Sequence, residues 1–504
     1  MAERSKAHDW KSCRVNSPPG FESLPFRHFL NAQRLPIPPR SAAVLAACVL
    51  LVLAFAPAQY FGRQQDDLLY FIGARALTAG RYCLLTTPGC PPLTLINPAW
   101  PALLAPLFLL TERPGPFQAF SALLLAAAPI ALWAWLRRRA DETTALLAAA
   151  LFASCPLVLA QSGVVMTEAP YLLFFLAMLA CVEKRRSAAA GAFGAALLMT
   201  RTAGLAVMPA LLLPFARPKT WRDFARAAAA PVLASALWAA WSWSRGRTVG
   251  KFDLLPATYG GGGWSKPFAV AAANAKFYLA EWGGCFLTPA RAGGALAPML
   301  GATLAAAAAW GLVGALRRRA DDPAAWSLLG TAFLLLVWGW QYERYLIPLL
   351  PLLLWALAAG LGRAAKPALG VLLGLQLVAQ TLPRLGRPSP WAEPELARTY
   401  AWLAQRPAPN LLSSTEPVRD GWLSGLPNMP LPVAAHDEDF APALKAAGVR
   451  YVLRADGQDY GLQADETSAL RREVERIYRR LEDPRHFRKV HEEPAERAAV
   501  YEPL

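Results

Sequence analysis

Charge is scarce in this sequence: Asp, Glu, Lys and Arg make up 17% of its 504 residues, against 55% apolar ones. The scarcity is also uneven. Between about residues 41 and 384, charges sit mainly in short joints between apolar runs, whereas beyond 384 their density is that of an ordinary water-exposed domain. Such a pattern excludes a single soluble globule. It is the pattern of a membrane chain, since a hydrocarbon core about 30 Å thick asks for roughly 17–25 apolar residues per helix.

Metal-ligand spacing is missing too. Seven cysteines show none, and Cys48, Cys155 and Cys181 fall inside apolar runs, where a thiol usually does no more than pack. His436, His486 and His491 have no ligand spacing either. No glycine-rich phosphate loop follows a strand-like segment. The net charge of +16 would suit nucleic acid, but no basic patch is interleaved with aromatics. The basic residues cluster instead at the ends of apolar runs, as in Arg137-Arg138-Arg139, Lys184-Arg185-Arg186 and Arg317-Arg318-Arg319. That is how loops retained on the cytoplasmic side are marked, so no nucleic-acid partner is expected. A signal peptide is not indicated, because the first apolar run starts only at Ser41. Residues 1–40, polar, basic and proline-containing, read as a disordered cytoplasmic lead-in.

Present instead are eleven apolar runs that read as transmembrane helices: 41–60, 116–136, 143–162, 166–182, 187–200, 203–216, 224–243, 295–316, 324–341, 345–361 and 366–384. The pair 187–200 and 203–216 is short for two crossings and also fits one long helix broken at Gly204. The run 93–111, with Pro98, Pro101 and Pro106, is apolar enough to compete. Counting it as a span would reverse the charge bias at nearly every later loop. Leaving it out puts the joints at 137–139, 184–186, 217–226, 317–319 and 363–366 all inside, so 93–111 is expected to lie in the outer interface. The expected architecture is an all-α polytopic membrane domain over 41–384 and a small extracytoplasmic α/β domain over 385–504. The N-terminus is inside, and long outer loops occupy 61–115 and 245–294.

On this map, polar residues converge at the outer face, where ionisable groups mark function by default. Asp66 and Asp67 open an amphipathic helix just beyond the first run. Their bland role is to favour that helix N-terminus; their functional role is a base at the bilayer surface. Glu168 opens a span after Thr167, a fitting N-cap. Arg201 lies between two short spans at the outer face, against the charge bias, and so calls for a partner. Arg344, before an apolar helix, offers a planar fork of donors at headgroup depth. Cys83 and Cys90 flank a turn-forming TTPG in the first outer loop and are expected to form a disulfide, because an outer compartment permits oxidation.

These residues resemble the GT-C superfamily, and most closely its protein-O-mannosyltransferase and lipid A aminoarabinose transferase group. The likeness rests on four places in the right order over 41–384. They are a span followed by Asp66-Asp67, Tyr70, Ala74, Leu77 and Gly80 with a proline-rich stretch; Thr167-Glu168-Ala169-Pro170; Thr200-Arg201-Thr202-Ala203-Gly204; and Glu343-Arg344-Tyr345-Leu346-Ile347-Pro348. This chain has Asp67 where Glu is common, Asn97 before Pro98 where the aminoarabinose enzymes place a lysine, and Thr202 where proline is usual. The resemblance implies inverting sugar transfer from a polyprenyl-phosphate donor to a lipid, glycan or protein acceptor at the outer face of a bacterial cytoplasmic membrane. It implies Asp66 as base, with Asp67 and Glu168 as the other carboxylates. Arg344, Arg201 and Lys266 are the candidates for the donor phosphate. Tyr70, Tyr345, Trp264 and Asn97 are expected nearby. The glycine-rich YGGGGWSKP (259–267) reads as a mobile loop able to close over donor. No cofactor is required, and a divalent cation is the only addition the acidic residues invite.

Beyond 390, helix over 394–405, strand over 410–415, helix over 437–447, strand over 449–455, helix over 464–482 and two short strands near 487–502 are expected. A transporter or flippase is the rival reading, with a non-catalytic family member as a third. Inverted repeats and midplane charges would mark a transporter, and neither is visible.

Overall fold

The structure is a computed structural model that describes residues 37–216, 220–246, 265–287, 294–389, 391–406, 410–432, 439–456 and 469–504. Residues Ala43–Leu504 form one compact unit; of the preceding one, Met1–Ala42, only 37–42 are described.

Each of the eleven expected spans coincides with helix, but helix length does not support eleven full crossings. By length and apolarity, four described stretches suffice: Pro114–Leu136, Trp221–Ser244, Leu296–Arg318 and Leu350–Arg384. Others, such as Glu142–Ser154, Ser187–Thr200 and Pro323–Val337, have 13–15 residues. At 1.5 Å per residue these are about 20–22 Å long, less than the hydrocarbon thickness. Leu350–Arg384 is itself a hairpin. Gly362, with φ of +57°, ends helix Leu350–Leu361, and the chain returns through Ala365–Gln376, where Gln376 donates to the Leu151 carbonyl.

The charged joints gather at one end of this bundle. Arg139 pairs with Glu183 at 2.8 Å and with Asp322 at 3.1 Å. Lys366 lies 3.2 Å from Asp141, Arg185 donates to the Pro214 carbonyl, and Ser187 donates to Asp223 at 3.0 Å. All five basic joints thus share an end, as the charge bias requires. Ser187–Thr200 and the segment Thr202–Phe215 run antiparallel, with an extended Arg201 (φ −154°) between them. The one-long-helix alternative does not hold. Gly204 sits so close to this hairpin that a Cβ there would lie 3.0 Å from the Leu198 nitrogen.

The run 93–111 folds as a short helix, Ala99–Leu104, continued by a 3-10 segment, Ala105–Leu109. It stays beside helix Asp66–Thr78: Phe71 meets Phe108 and Phe117 at 4.8 Å, and Arg75 pairs with Glu112. Leu109 and Leu110 are each 82% exposed, as expected of a segment lying in an interface. Cys83 and Cys90 are joined by a disulfide. Cys155, at the break after helix Glu142–Ser154, faces Cys285 with the sulfurs 3.7 Å apart.

The region 245–294, read from sequence as a loop, contains a twenty-residue helix, Ser265–Gly284. Lys266, Asn274, Lys276 and Glu281 dilute its apolar character below that of a span. It lies at the end of the bundle opposite the basic joints, held against Leu296–Arg318 by glycines. A Cβ on Gly283 or Gly301 would stand 1.9 Å from a carbonyl of the other helix.

Residues 397–504 build a five-stranded sheet of order β2-β1-β3-β5-β4 from β1 (Leu411–Ser414), β2 (Asn428–Pro430), β3 (Val449–Ala455), β4 (Phe487–Glu493) and β5 (Ala498–Pro503). β1 is parallel to β2 and β3, and β5 is antiparallel to β3 and β4. The expected helices and strands are present over the described residues; the expected helix starts at 437–438 and 464–468 lie outside them. Helix Pro417–Ser424 and β2 are additions, and this helix docks the domain onto the bundle. Val418 packs with Leu68 and Ile72, and the Trp422 ring lies 5.2 Å from that of Phe71.

Candidate active site

The site forms where the first loop meets three helix ends. Its floor is a turn over 62–65. Gly62 takes φ of +102°, and Gln65, unusually for a residue with a Cβ, takes φ of +53°. Left-handed backbone of that kind costs about 1 kcal/mol or more and needs outside support. Asp67 supplies it: one carboxylate oxygen accepts from the Gly62 amide at 2.8 Å and the other from Leu68 at 3.0 Å. Asp67, 1% exposed, is therefore the brace of the turn, and its neighbour Asp66 projects from the same helix start with a side chain 38% exposed.

Burial pushes the Asp67 carboxyl up to about 7, the two amide bonds opposing that rise. The folded protein then keeps, between about pH 4 and pH 7, a proton that the unfolded chain has released. Because the folded state binds more protons there, this group makes stability fall as pH rises through that window and stay level above it. Melting curves of purified wild type and Asp67→Asn should show it. The wild-type Tm, measured relative to the variant, should drop between pH 5 and pH 7.5. A flat difference would mean that Asp67 stays ionised throughout.

Asp66 meets Arg344 across 278 residues of sequence, with Arg344 Nη2 donating to Asp66 Oδ2 at 3.0 Å. Arg344 Nη1 donates to Gln64 Oε1 at 2.8 Å. The Arg344 side chain is 10% exposed, and its guanidinium carbon stands 5.0 Å from the Tyr342 ring centre and 5.9 Å from that of Tyr345. Beneath this pair lies a second. Arg201 Nη1 donates to Glu168 Oε1 at 2.6 Å, with Glu168 1% exposed, and Arg201 also lies 5.0 Å from the Tyr345 ring. Both guanidinium groups thus lie within 5.9 Å of the Tyr345 ring centre. Tyr70 is buried against the same cluster, bonded to Thr167. Thr167 stands at the N-cap position of its helix, as expected, but makes no side-chain cap bond to it.

The Glu168–Arg201 pair is buried, so removing one partner leaves an uncompensated charge, at a cost of about 3–5 kcal/mol. Glu168→Gln should lower thermal stability strongly, while the double variant Glu168→Gln with Arg201→Gln should recover part of it. Equal losses from the single and double variants would mean that the two residues are not coupled.

Of the residues named from sequence, Asp66, Glu168, Arg201, Arg344, Tyr70 and Tyr345 come together. Asn97 Nδ2 donates to the Leu198 carbonyl at 2.6 Å, fastening the first loop to helix Ser187–Thr200 three residues before Arg201. Lys266 is at the start of helix Ser265–Gly284, and Trp264 lies outside the described residues. Gln64 was missed, although it stands two residues before Asp66. Also missed were Asn274 and Gln341, polar residues within or beside apolar runs. The carboxylates of Asp66 and Glu168 each face a guanidinium.

No protein-family model matches this sequence, and no curated protein matches it. Solved structures do. The chain superposes on ArnT from Cupriavidus metallidurans bound to undecaprenyl phosphate with a TM-score of 0.57, at 12% identity, over 91% of this chain and 97% of that one. The chain has the GT-C fold. A second GT-C structure, the oligosaccharyltransferase of Archaeoglobus fulgidus in its apo form, superposes with a TM-score of 0.51 at 11% identity, over 82% of this chain and 69% of that one. The same oligosaccharyltransferase, AglB, in complex with an inhibitory peptide and a dolichol-phosphate, gives a TM-score of 0.50 at 13% identity over 83% and 69%. Within the GT-C fold of this chain, the polar cluster joins the first loop to the helix starts at 168, 201 and 344.

Proposed function

We propose that this chain transfers a sugar from a polyprenyl-phosphate donor to a hydroxyl or amine of a lipid, glycan or protein, with inversion, at the outer face of a bacterial cytoplasmic membrane. The observation that carries the reading is the Asp66–Arg344 pair, a carboxylate open to solvent in contact with a buried guanidinium. Two GT-C structures support the donor class, ArnT being bound to undecaprenyl phosphate and AglB to a dolichol-phosphate.

In the proposed cycle the pair is a resting state. A carboxylate bonded to arginine is a poor base, and a donor phosphate competes for the same guanidinium fork. Phosphate on Arg344 releases Asp66, which then takes the acceptor's proton as its oxygen or nitrogen attacks the anomeric carbon from the face opposite the phosphate. The bond from that carbon to the phosphate oxygen breaks, its electron pair leaves on the phosphate, and Arg344 and Arg201 stabilise the charge. Asp67 and Glu168 serve as supports, the first of the turn and the second of Arg201.

The topology belonging to this reading has the N-terminus and basic joints inside, and residues 385–504 outside. Reporter fusions at residues 88 and 114 should register outside and one at 140 inside. The reaction is tested by mass spectrometry of lipids, glycans and proteins from a deletion strain, together with transfer of a labelled lipid-linked sugar by purified protein. A deletion strain lacking no sugar modification would overturn the proposal.

A further inference from the structure

Helix Pro323–Val337 ends just before the segment that carries Arg344, and its last carbonyls have no partners within the helix. In apolar surroundings such groups must be satisfied by other parts of the protein. Here a side chain from another helix does it. Asn274, in the middle of Ser265–Gly284 and 2% exposed, places its Nδ2 3.0 Å from the Leu335 carbonyl, 2.9 Å from that of Leu336 and 2.7 Å from that of Trp338. Its Oδ1 accepts from Gln341 Nε2 at 2.9 Å. Between these contacts the chain is not helical: Trp338 and Tyr342 are extended, and the 3-10 turn Glu343–Leu346 begins immediately afterwards.

One carboxamide thus pins a short extended strap at both ends, at Trp338 and at Gln341, three residues before Arg344. The strap is not helical, so this external fastening helps to set the position of the Arg344 backbone. We infer that Asn274 and Gln341 are positioning residues that set Arg344 for the donor phosphate, an inference that rests on the function proposed above. Neither residue touches donor in this scheme. Their effect runs wholly through Arg344, and that makes it separable from a general loss of packing.

The test is a double-mutant cycle on the full-length protein in detergent, reading binding of undecaprenyl phosphate. Gln341→Met removes one hydrogen bond at nearly constant volume and should weaken binding about tenfold, the upper range for a single bond. Asn274→Asp keeps the acceptor for Gln341, loses the donor to the three carbonyls, and should weaken it at least as much. In an Arg344→Ala background, Gln341→Met should cost nothing further, because the group it positions is gone. Wild-type binding by Gln341→Met overturns the inference, and so does an equal loss in both backgrounds, which would mark a merely structural role. If Arg344→Ala alone binds as wild type does, the phosphate role of Arg344 fails, and this inference with it.

Discussion

Asp66→Asn should lose turnover by about 10²–10⁴-fold, the usual cost of removing a general base, while still binding the donor lipid. The substitution keeps the shape of the side chain and its reach to Arg344 Nη2, now 3.0 Å away, but abolishes the ability to accept a proton. The structure sharpens this expectation. The amide has no charge to hold the guanidinium back, so undecaprenyl phosphate should bind the variant as tightly as wild type or more tightly. Asp67 is not placed to rescue the reaction, since both of its carboxylate oxygens are used by the Gly62 and Leu68 amides. Transfer of labelled lipid-linked sugar, with donor binding measured in parallel on monodisperse protein, decides the matter. Near-normal transfer by Asp66→Asn would remove Asp66 as base. If variants of Asp66, Asp67 and Glu168 all remain active, the glycosyltransferase reading fails with them.

Arg344→Ala should fail in a different way, losing donor affinity and turnover together. In the proposed reaction Arg344 faces phosphate in the ground state and the developing charge in the transition state, so its loss would remove both interactions. A charge-assisted hydrogen bond contributes about 1.5–3 kcal/mol, so a fall in affinity of at least about tenfold is expected, with a further loss in rate. The variant also leaves Asp66 without its resting partner, so fold integrity must be checked by melting. Arg344→Lys should recover only part of either loss. A point charge cannot engage Gln64, Asp66 and a phosphate with the spread of a planar fork, and the buried side chain leaves little room to compensate. Full activity of Arg344→Lys would show that charge alone, without the geometry of the fork, is what the site requires.

The two substitutions together test the resting pair. If phosphate displaces Asp66 from Arg344, affinity for undecaprenyl phosphate should hold or rise in Asp66→Asn and fall in Arg344→Ala. A fall in both would mean that Asp66 holds Arg344 in place for the phosphate instead of competing for it.

The membrane character, the positions of the helices, the shared end of the basic joints and the peripheral course of 93–111 were legible in the residues themselves. A bilayer imposes its constraints one segment at a time, through apolar length and through the side on which Lys and Arg remain. Such constraints survive in one dimension. The outline of the sheet domain was legible for a similar reason, because alternating and helical periodicities are local. Helix Ser265–Gly284 was not, because its polar residues are satisfied by partners far along the chain: Asn274 belongs to the end of Pro323–Val337.

Only the tertiary structure decided the pairings. Asp66 and Asp67 are adjacent and chemically alike, yet one faces Arg344 while the other is consumed by the turn beneath it. That division follows from the left-handed backbone at Gln65 and the close packing of Gly62 on Leu68, which no spacing reveals. Arg201 was expected to need a partner, and the fold supplied Glu168, 33 residues earlier. Asn97, which looks like a site residue by its place beside Pro98, is a fastening to Leu198. Which polar groups meet is set by how helices of unequal length pack, and the energy of that packing is spread over the whole bundle. The residues determined that this chain lies in a membrane with a polar cluster at one end. The fold determined which of those residues pair with one another and which brace the turn beneath them.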